Sequence, residues 1–198
     1  MSLTLAIKPT IVDRVLPKSL VTDSVLVLAG TAITALAAQW TIATTPVPIT
    51  GQTFAVLLVG AAIGSSRAAL SMFVYLLAGA AGLGVFNGGK SGLFDDATGH
   101  LTGTLGYLVG FIIASALVGF LAERGWSRTV WGVVGSFVLG NLAIYALGLP
   151  WLQFSYGVSW AQTLEWGFTP FVLWDLAKLA IAAGLLPAAW LLVNRIKR

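Results

Sequence analysis

Asp175 and Lys178 stand inside an otherwise apolar run that extends from Pro170 to Val193, and an acid and a base three residues apart share one face of a helix. A run of this length and composition reads as a membrane span, and Pro170 suits its first turn, where a missing N–H is no loss. A charge near the bilayer centre costs roughly 2.5 to 3.5 kcal/mol on insertion scales, so such residues usually face a protein interior and serve a substrate or an ion. Asp175 comes five residues after Pro170, roughly 7 to 8 Å below the start of the helix. The pair would then floor a cavity open to one side of the membrane. The plainer alternative is an internal ion pair that only holds two helices together.

Composition carries the same message as this segment. The chain is 58% hydrophobic and 9% charged, where soluble proteins average about 45 to 50% and 25%. Its mean hydropathy is +0.91. An all-α integral membrane protein follows, and 198 residues leave room for about five to seven spans in one bundle. Residues 1–198 are expected to form a single domain. With no Cys and only His100, disulfides, thiolate sites and multi-histidine metal centres are excluded. The net charge of +4 reports topology rather than nucleic-acid binding, because the positions of the charges follow the spans.

Residues 1–22 read as a polar cytoplasmic arm, lacking the arrangement of a cleaved signal. Span one covers about Asp23 to Thr41, and its small residues Gly30, Thr34 and Ala38, with Thr31 and Ala35, recur four apart, a spacing that lets helices approach closely in lipid. That face docks either on a partner's helix or on a neighbour in the same bundle. Thr44 to Gln52 is expected to be an extended loop, since two prolines restrict themselves and the residues before them. Apolar runs at Thr53 to Gly64 and Ala68 to Leu83 give two short spans separated by Gly64-Ser-Ser-Arg67. Residues 84–103 form a glycine-rich polar loop too long for a simple connector. Spans four and five cover about Thr104 to Ala122 and Thr129 to Leu149. Pro150 to Thr169 is a second long loop, rich in Trp and Tyr, with a short helix around Ser159 to Trp166.

Six transmembrane helices put both termini on one side. That side collects Lys8, Arg14, Lys18, Arg67, Arg124, Arg128, Arg195, Lys197 and Arg198, nine of the eleven basic residues. Positive charge concentrates on the cytoplasmic face, so both termini are expected there and the three unusual loops outside, above Asp175. This geometry suits capture of a solute from outside. A channel would need polar lining on several spans, which are nearly all apolar here. Gly84-Val-Phe-Asn-Gly-Gly89-Lys90-Ser91 matches the P-loop pattern, yet a span precedes it and no helix start follows, so nucleotide binding is not expected. Catalytic signatures are missing, including a second in-membrane carboxylate to pair with Asp175, so no enzyme activity is expected.

Pro46-Val-Pro-Ile-Thr-Gly-Gln-Thr53, Gly79-Ala-Ala-Gly-Leu-Gly-Val-Phe-Asn-Gly-Gly-Lys-Ser-Gly-Leu93, Gly106-Tyr-Leu-Val-Gly-Phe111 and Asp175-x-x-Lys178 together resemble the BioY family, the biotin-binding S components of energy-coupling-factor (ECF) transporters. The resemblance spans about Trp40 to Lys178. It departs where Thr102-Gly-Thr-Leu-Gly-Tyr107 replaces a usual Gly-Pro-Thr-Gly-Gly-Tyr, and where Phe94-Asp-Asp-Ala-Thr-Gly99 reads as extra loop. The resemblance implies a six-helix, multi-pass protein of the cell membrane that binds biotin as substrate without a cofactor. It also implies a transmembrane coupling protein and two cytoplasmic ATPases as partners.

Biotin's ureido ring offers two N–H donors and one carbonyl acceptor, so a buried site should answer with oxygen acceptors and an N–H donor. Asp175, Asn87 and Lys178 supply that set. Phe86, Tyr107 and Trp174 would enclose the apolar ring. Thr50, Gln52 and the backbone N–H groups of Gly88 and Gly89 are available to the carboxylate, and Lys178 is an alternative partner for it.

Overall fold

The computed structural model describes residues 8–95 and 99–196. The first seven residues of the arm, residues 96–98 of the glycine-rich loop, and Lys197 and Arg198 lie outside the described residues. Among the described residues eight α-helices carry the fold: α1 (Ile11–Val15), α2 (Leu20–Gln39), α3 (Gln52–Ile63), α4 (Ser65–Ala80), α5 (Leu105–Ala122), α6 (Val130–Tyr156), α7 (Trp160–Gly167) and α8 (Val172–Ile196). Among the described residues, α2, α5, α6 and the stretch Trp160–Ile196 are long and apolar enough to cross a membrane, while α3 is apolar but shorter. The protein is a multi-pass membrane protein.

The inner helices are α3 and α5. Val56, Leu57, Ala114 and Val118 are fully enclosed, and Met72, Phe137 and Ile144 from α4 and α6 complete the same core. Large apolar side chains on the outer faces of α2, α6 and α8 are exposed, among them Leu28, Leu36, Leu142, Leu176 and Leu191. Lipid solvates such a surface, so helices gain from close contact rather than from hiding apolar area. Glycines provide that contact. A Cβ on Gly60 would sit 2.7 Å from the Ser115 carbonyl oxygen, and one on Gly140 would sit 2.5 Å from a Leu57 methyl.

The break between α3 and α4 is a single residue. Gly64 adopts φ +88°, a left-handed conformation that favours glycine. Ser65 to Arg67, expected to belong to the break, instead form the first turn of α4. The Ser65 N–H donates to Glu123 Oε1 at 2.8 Å, satisfying one of the free donors of the helix start.

The expected loop at 44–52 carries β2 (Ile49–Thr50), which pairs antiparallel with β1 (Thr41–Ile42) just before the loop, and a cis Thr45–Pro46 peptide lies between them. The expected loop after Leu149 begins later, because α6 continues through Pro150 to Tyr156. Proline removes one backbone donor from a helix interior. The extra turns are held by packing: Leu152 is fully buried and Trp151 Nε1 donates to the Thr102 carbonyl at 2.9 Å. The helix stops at Gly157, which caps it with φ 64°. α7 occupies the place where a short helix is expected, and Pro170 lies in a 3₁₀ turn, Thr169–Phe171, just before α8.

Within the described part of the arm, Ile11–Val15 form α1 and α2 begins at Leu20. Thr10 and Asp13 form a reciprocal capping box on α1, the arrangement that pairs two otherwise unsatisfied groups. Arg67 then bridges Asp13 at 2.8 Å and Asp23 at 2.7 Å. Burial alone would raise the Asp13 carboxyl, but the Arg67 and Thr10 hydrogen bonds outweigh it and hold it below the usual carboxylate range.

The small-residue face of α2 packs inside this bundle. Gly30, Thr34 and Ala38 are buried, Thr31 Oγ1 donates to the Ser71 carbonyl at 2.9 Å, and a Cβ on Gly30 would lie 2.6 Å from Ser71 Oγ. Gly30, Thr34 and Ala38 are therefore taken up by contacts within the bundle, while Thr31 and Ala35 beside them are half-buried.

Candidate functional site

A cavity of ≈ 560 Å³ opens among the β1–β2 hairpin, the loop after α4, the first turns of α3, α5 and α8, and the middle of α6. Specific ligand sites fall in the range of about 300 to 1,000 Å³. Val47, Leu108, Phe111, Ile144 and Phe171 give it apolar walls, and Thr53, Tyr145 and Lys178 give it a polar floor.

The floor is one hydrogen-bonded cluster. Lys178 Nζ donates to Thr53 Oγ1 at 2.8 Å and reaches Asp175 Oδ1 at 3.4 Å. Tyr145 OH donates to Asp175 Oδ2, and Thr53 Oγ1 lies 3.5 Å from Asp175 Oδ1. The side chains of Lys178 and Asp175 are only 17% and 11% exposed, so each charge depends on the other and on these hydroxyls for solvation. Asp175 is absent from the lining; Lys178, Thr53 and Tyr145, which do line the cavity, hold its carboxylate. The α8 pitch places Lys178 one turn below Asp175 on the same face. The two hydroxyls arrive from α3 and α6.

One wall is set by Gln52 and Phe86. Gln52 Nε2 donates to Tyr75 OH at 2.6 Å, Tyr75 OH donates to the Val85 carbonyl at 3.0 Å, and Thr50 Oγ1 donates to Gln52 Oε1 at 2.9 Å. This chain ties the hairpin to the loop after α4. The Phe86 ring packs edge-on to Tyr75, centroids 5.4 Å apart, and fills the space that a Cβ on Gly79 would occupy. Gln39 Nε2 on α2 donates to the Phe86 carbonyl at 3.2 Å. Asn87–Gly89 form a 3₁₀ turn in which Gly88 has φ 64°, a conformation that glycine accepts without strain.

Of the residues singled out in the sequence, Thr50, Gln52, Phe86, Asn87, Gly89, Tyr107 and Lys178 line this cavity together. Gly88 and Trp174 do not; Trp174 is 44% exposed on the outer face of α8. Tyr107 is anchored by donation to the Gly167 carbonyl at 3.1 Å and stands edge-on to Tyr145. Lys90 and Ser91 also line the cavity. The P-loop context is missing from their surroundings: α4 precedes them, and among the described residues the next α-helix starts at Leu105. Thr53 and Tyr145 escaped sequence reasoning. Tyr145 did leave a signal, being, with Ser136 and Asn141, one of the few hydrogen-bonding side chains in a largely apolar span.

These features place the chain among known proteins. The BioY family model matches residues 8–195. The chain belongs to the BioY family. It is 39% identical over 160 residues to the biotin transporter BioY of Thermotoga maritima, covering 80% of this chain and 90% of that one. It is 33% identical over 156 residues to biotin transporter BioY2 of Lactococcus lactis subsp. cremoris, covering 77% and 81%. In fold it is similar to the crystal structure of the S-component for biotin from an ECF-type ABC transporter, with TM-score 0.65 and 20% identity over 89% of this chain and 91% of that one.

Because Tyr145 holds the Asp175 carboxylate, Tyr145→Phe should weaken ligand binding about fivefold, the scale of one hydrogen bond to a charged group acting indirectly. Calorimetry on the purified variant checks this. An affinity equal to the wild type would show that the hydroxyl has no part in the site.

Proposed function

We propose that this chain captures biotin from outside the cell as the substrate-binding subunit of an ECF transporter. The observation that carries the reading is the cavity itself: apolar walls, a floor of paired amine, carboxylate and hydroxyls, and a chain of the BioY family around it. BioY is a transport family, so the chain is a transporter subunit of the cell membrane and not an enzyme.

Biotin's neutral bicyclic end suits the floor, where Lys178 can donate to the ureido carbonyl and Asn87 and the Asp175 cluster can accept its N–H groups. A carboxylate there would meet a lysine whose charge Asp175, behind the lining, already balances, and would leave the enclosed floor with a net negative charge. The valerate carboxylate is better answered at the mouth by Thr50, Gln52, Lys90 and the Gly89 backbone. Biotin is substrate on this reading, and no cofactor or metal is involved.

We read α2 to α6 and α8 as six spans of one domain covering residues 1–198, with both termini cytoplasmic. Lys8, Arg14, Lys18, Arg67, Arg124, Arg128 and Arg195 lie at helix ends away from the cavity, which supports that orientation. Uptake against a gradient then needs partners, a transmembrane coupling protein and two cytoplasmic ATPases. Nucleic acid has no place in this reading.

The purified protein should bind biotin with a Kd below about 1 μM and give no heat with ATP. Calorimetry with both ligands decides it. Absence of biotin binding by folded protein overturns the proposal, and ATP binding would reinstate Gly84 to Ser91 as a nucleotide loop.

A further inference from the structure

At the bundle end opposite the cavity, the connection from α5 to α6 gathers positive charge without acidic partners. Arg124 Nη1 donates to the Phe120 carbonyl at 3.0 Å and its guanidinium stacks on the Phe120 ring. Arg128 donates to the Pro9 carbonyl at 3.2 Å and stacks on Trp190. Lys8 Nζ lies 3.2 Å from where a Cβ on Gly125 would stand. Burial first, and then repulsion from Arg14, draw the Arg128 guanidinium below its usual range. The acids of this end are committed elsewhere: Asp13 and Asp23 pair with Arg67, and Glu123 accepts from the Ser65 N–H. Lys8, Arg14, Arg124 and Arg128 therefore form no ion pair with a described side chain, and their four positive charges exceed the single negative charge of Glu123 beside them.

A groove of ≈ 310 Å³ opens at this cluster, lined by Arg124, Gly125, Trp126, Thr129, Trp131 and Gly132. Trp126 and Trp131 are both exposed beside it, as are Phe120 and Val130. Indole rings favour the headgroup level of a bilayer, and basic groups there attract anionic lipids. A soluble anion would gain nothing from the apolar flank; acyl chains would lie along it. We propose that this groove binds the phosphate-bearing headgroup of an anionic phospholipid, with Arg124 as its principal cation and Trp131 at its rim.

The test uses the full-length protein in detergent, with melting followed during titration of phosphatidylglycerol, phosphatidylcholine or inorganic phosphate. Phosphatidylglycerol should raise the melting midpoint well beyond phosphatidylcholine, as a ligand selective for the folded state does. Arg124→Gln should lower the apparent affinity for phosphatidylglycerol about fivefold, the effect of one cation near a membrane surface. Trp131→Ala, at a residue 82% exposed and so free of folding constraints, should reduce it as well. Both variants should bind biotin as the wild type does, which keeps this result separate from the function proposed above. Equal shifts with the two lipids, a phosphatidylglycerol shift unchanged in both variants, or a full shift with inorganic phosphate alone would each overturn the proposal.

Discussion

Asp175→Asn weakens biotin binding at least about tenfold while the protein stays folded. The substitution preserves shape but removes the charge that faces Lys178 and receives the Tyr145 hydrogen bond. Lys178 is left with Thr53 as its remaining partner, and losing one partner of a buried charged pair leaves the other uncompensated. Hydrogen bonds to charged groups contribute about 1.5 to 3 kcal/mol, a factor of about ten or more in affinity. Lys178→Ala should cost as much, because it removes the lining donor itself. The double variant should be much less damaging than the product of the two single effects, since the residues act as one unit. Calorimetry and melting on the same preparations separate the outcomes. Unchanged affinity with a lowered midpoint would make the pair a strut between helices and leave ligand recognition to the loop residues.

A second large effect is expected far from the cavity. Gly119 on α5 lies against the turn from α3 to α4, where an added Cβ would come within 2.4 Å of the Ser65 nitrogen and 2.5 Å of the Gly64 carbonyl carbon. Both neighbours are backbone, so no rotamer change relieves the contact. Separating the helices would also disturb the Ser65 N–H bond to Glu123. Gly119→Ala should overpack this contact at a cost of about 3 kcal/mol, which corresponds to a melting midpoint lower by about 10 °C in a chain of this size. Gly184→Ala is the matched control, since nothing lies within 4 Å of its added methyl and alanine is the better helix former. Equal midpoints for the two variants would show that α4 and α5 have room to separate without cost.

Composition and periodicity were enough to show that the chain lives in a membrane, because helices solvated by lipid must be apolar over their whole length. Asp175 and Lys178 declared themselves for the same reason: charge is conspicuous against that background, and their spacing alone puts them on one face of α8. The proline-rich and glycine-rich loops were visible as interruptions, and seven residues chosen from them and from the spans do meet at one cavity. Tertiary structure decided everything that depends on which faces meet. Tyr145 and Asp175 are 30 residues apart, and Thr53 and Asp175 are 122 apart, so no local pattern could join them. Trp174 sits beside Asp175 in the chain yet points outward, since neighbours in a helix diverge by about 100° around its axis. The small residues of α2 signalled a close helix contact without naming the helix, and only the fold showed that α4 fills it. A spacing encodes the face a helix presents, whereas the identity of the facing element is set by the packing of the whole bundle.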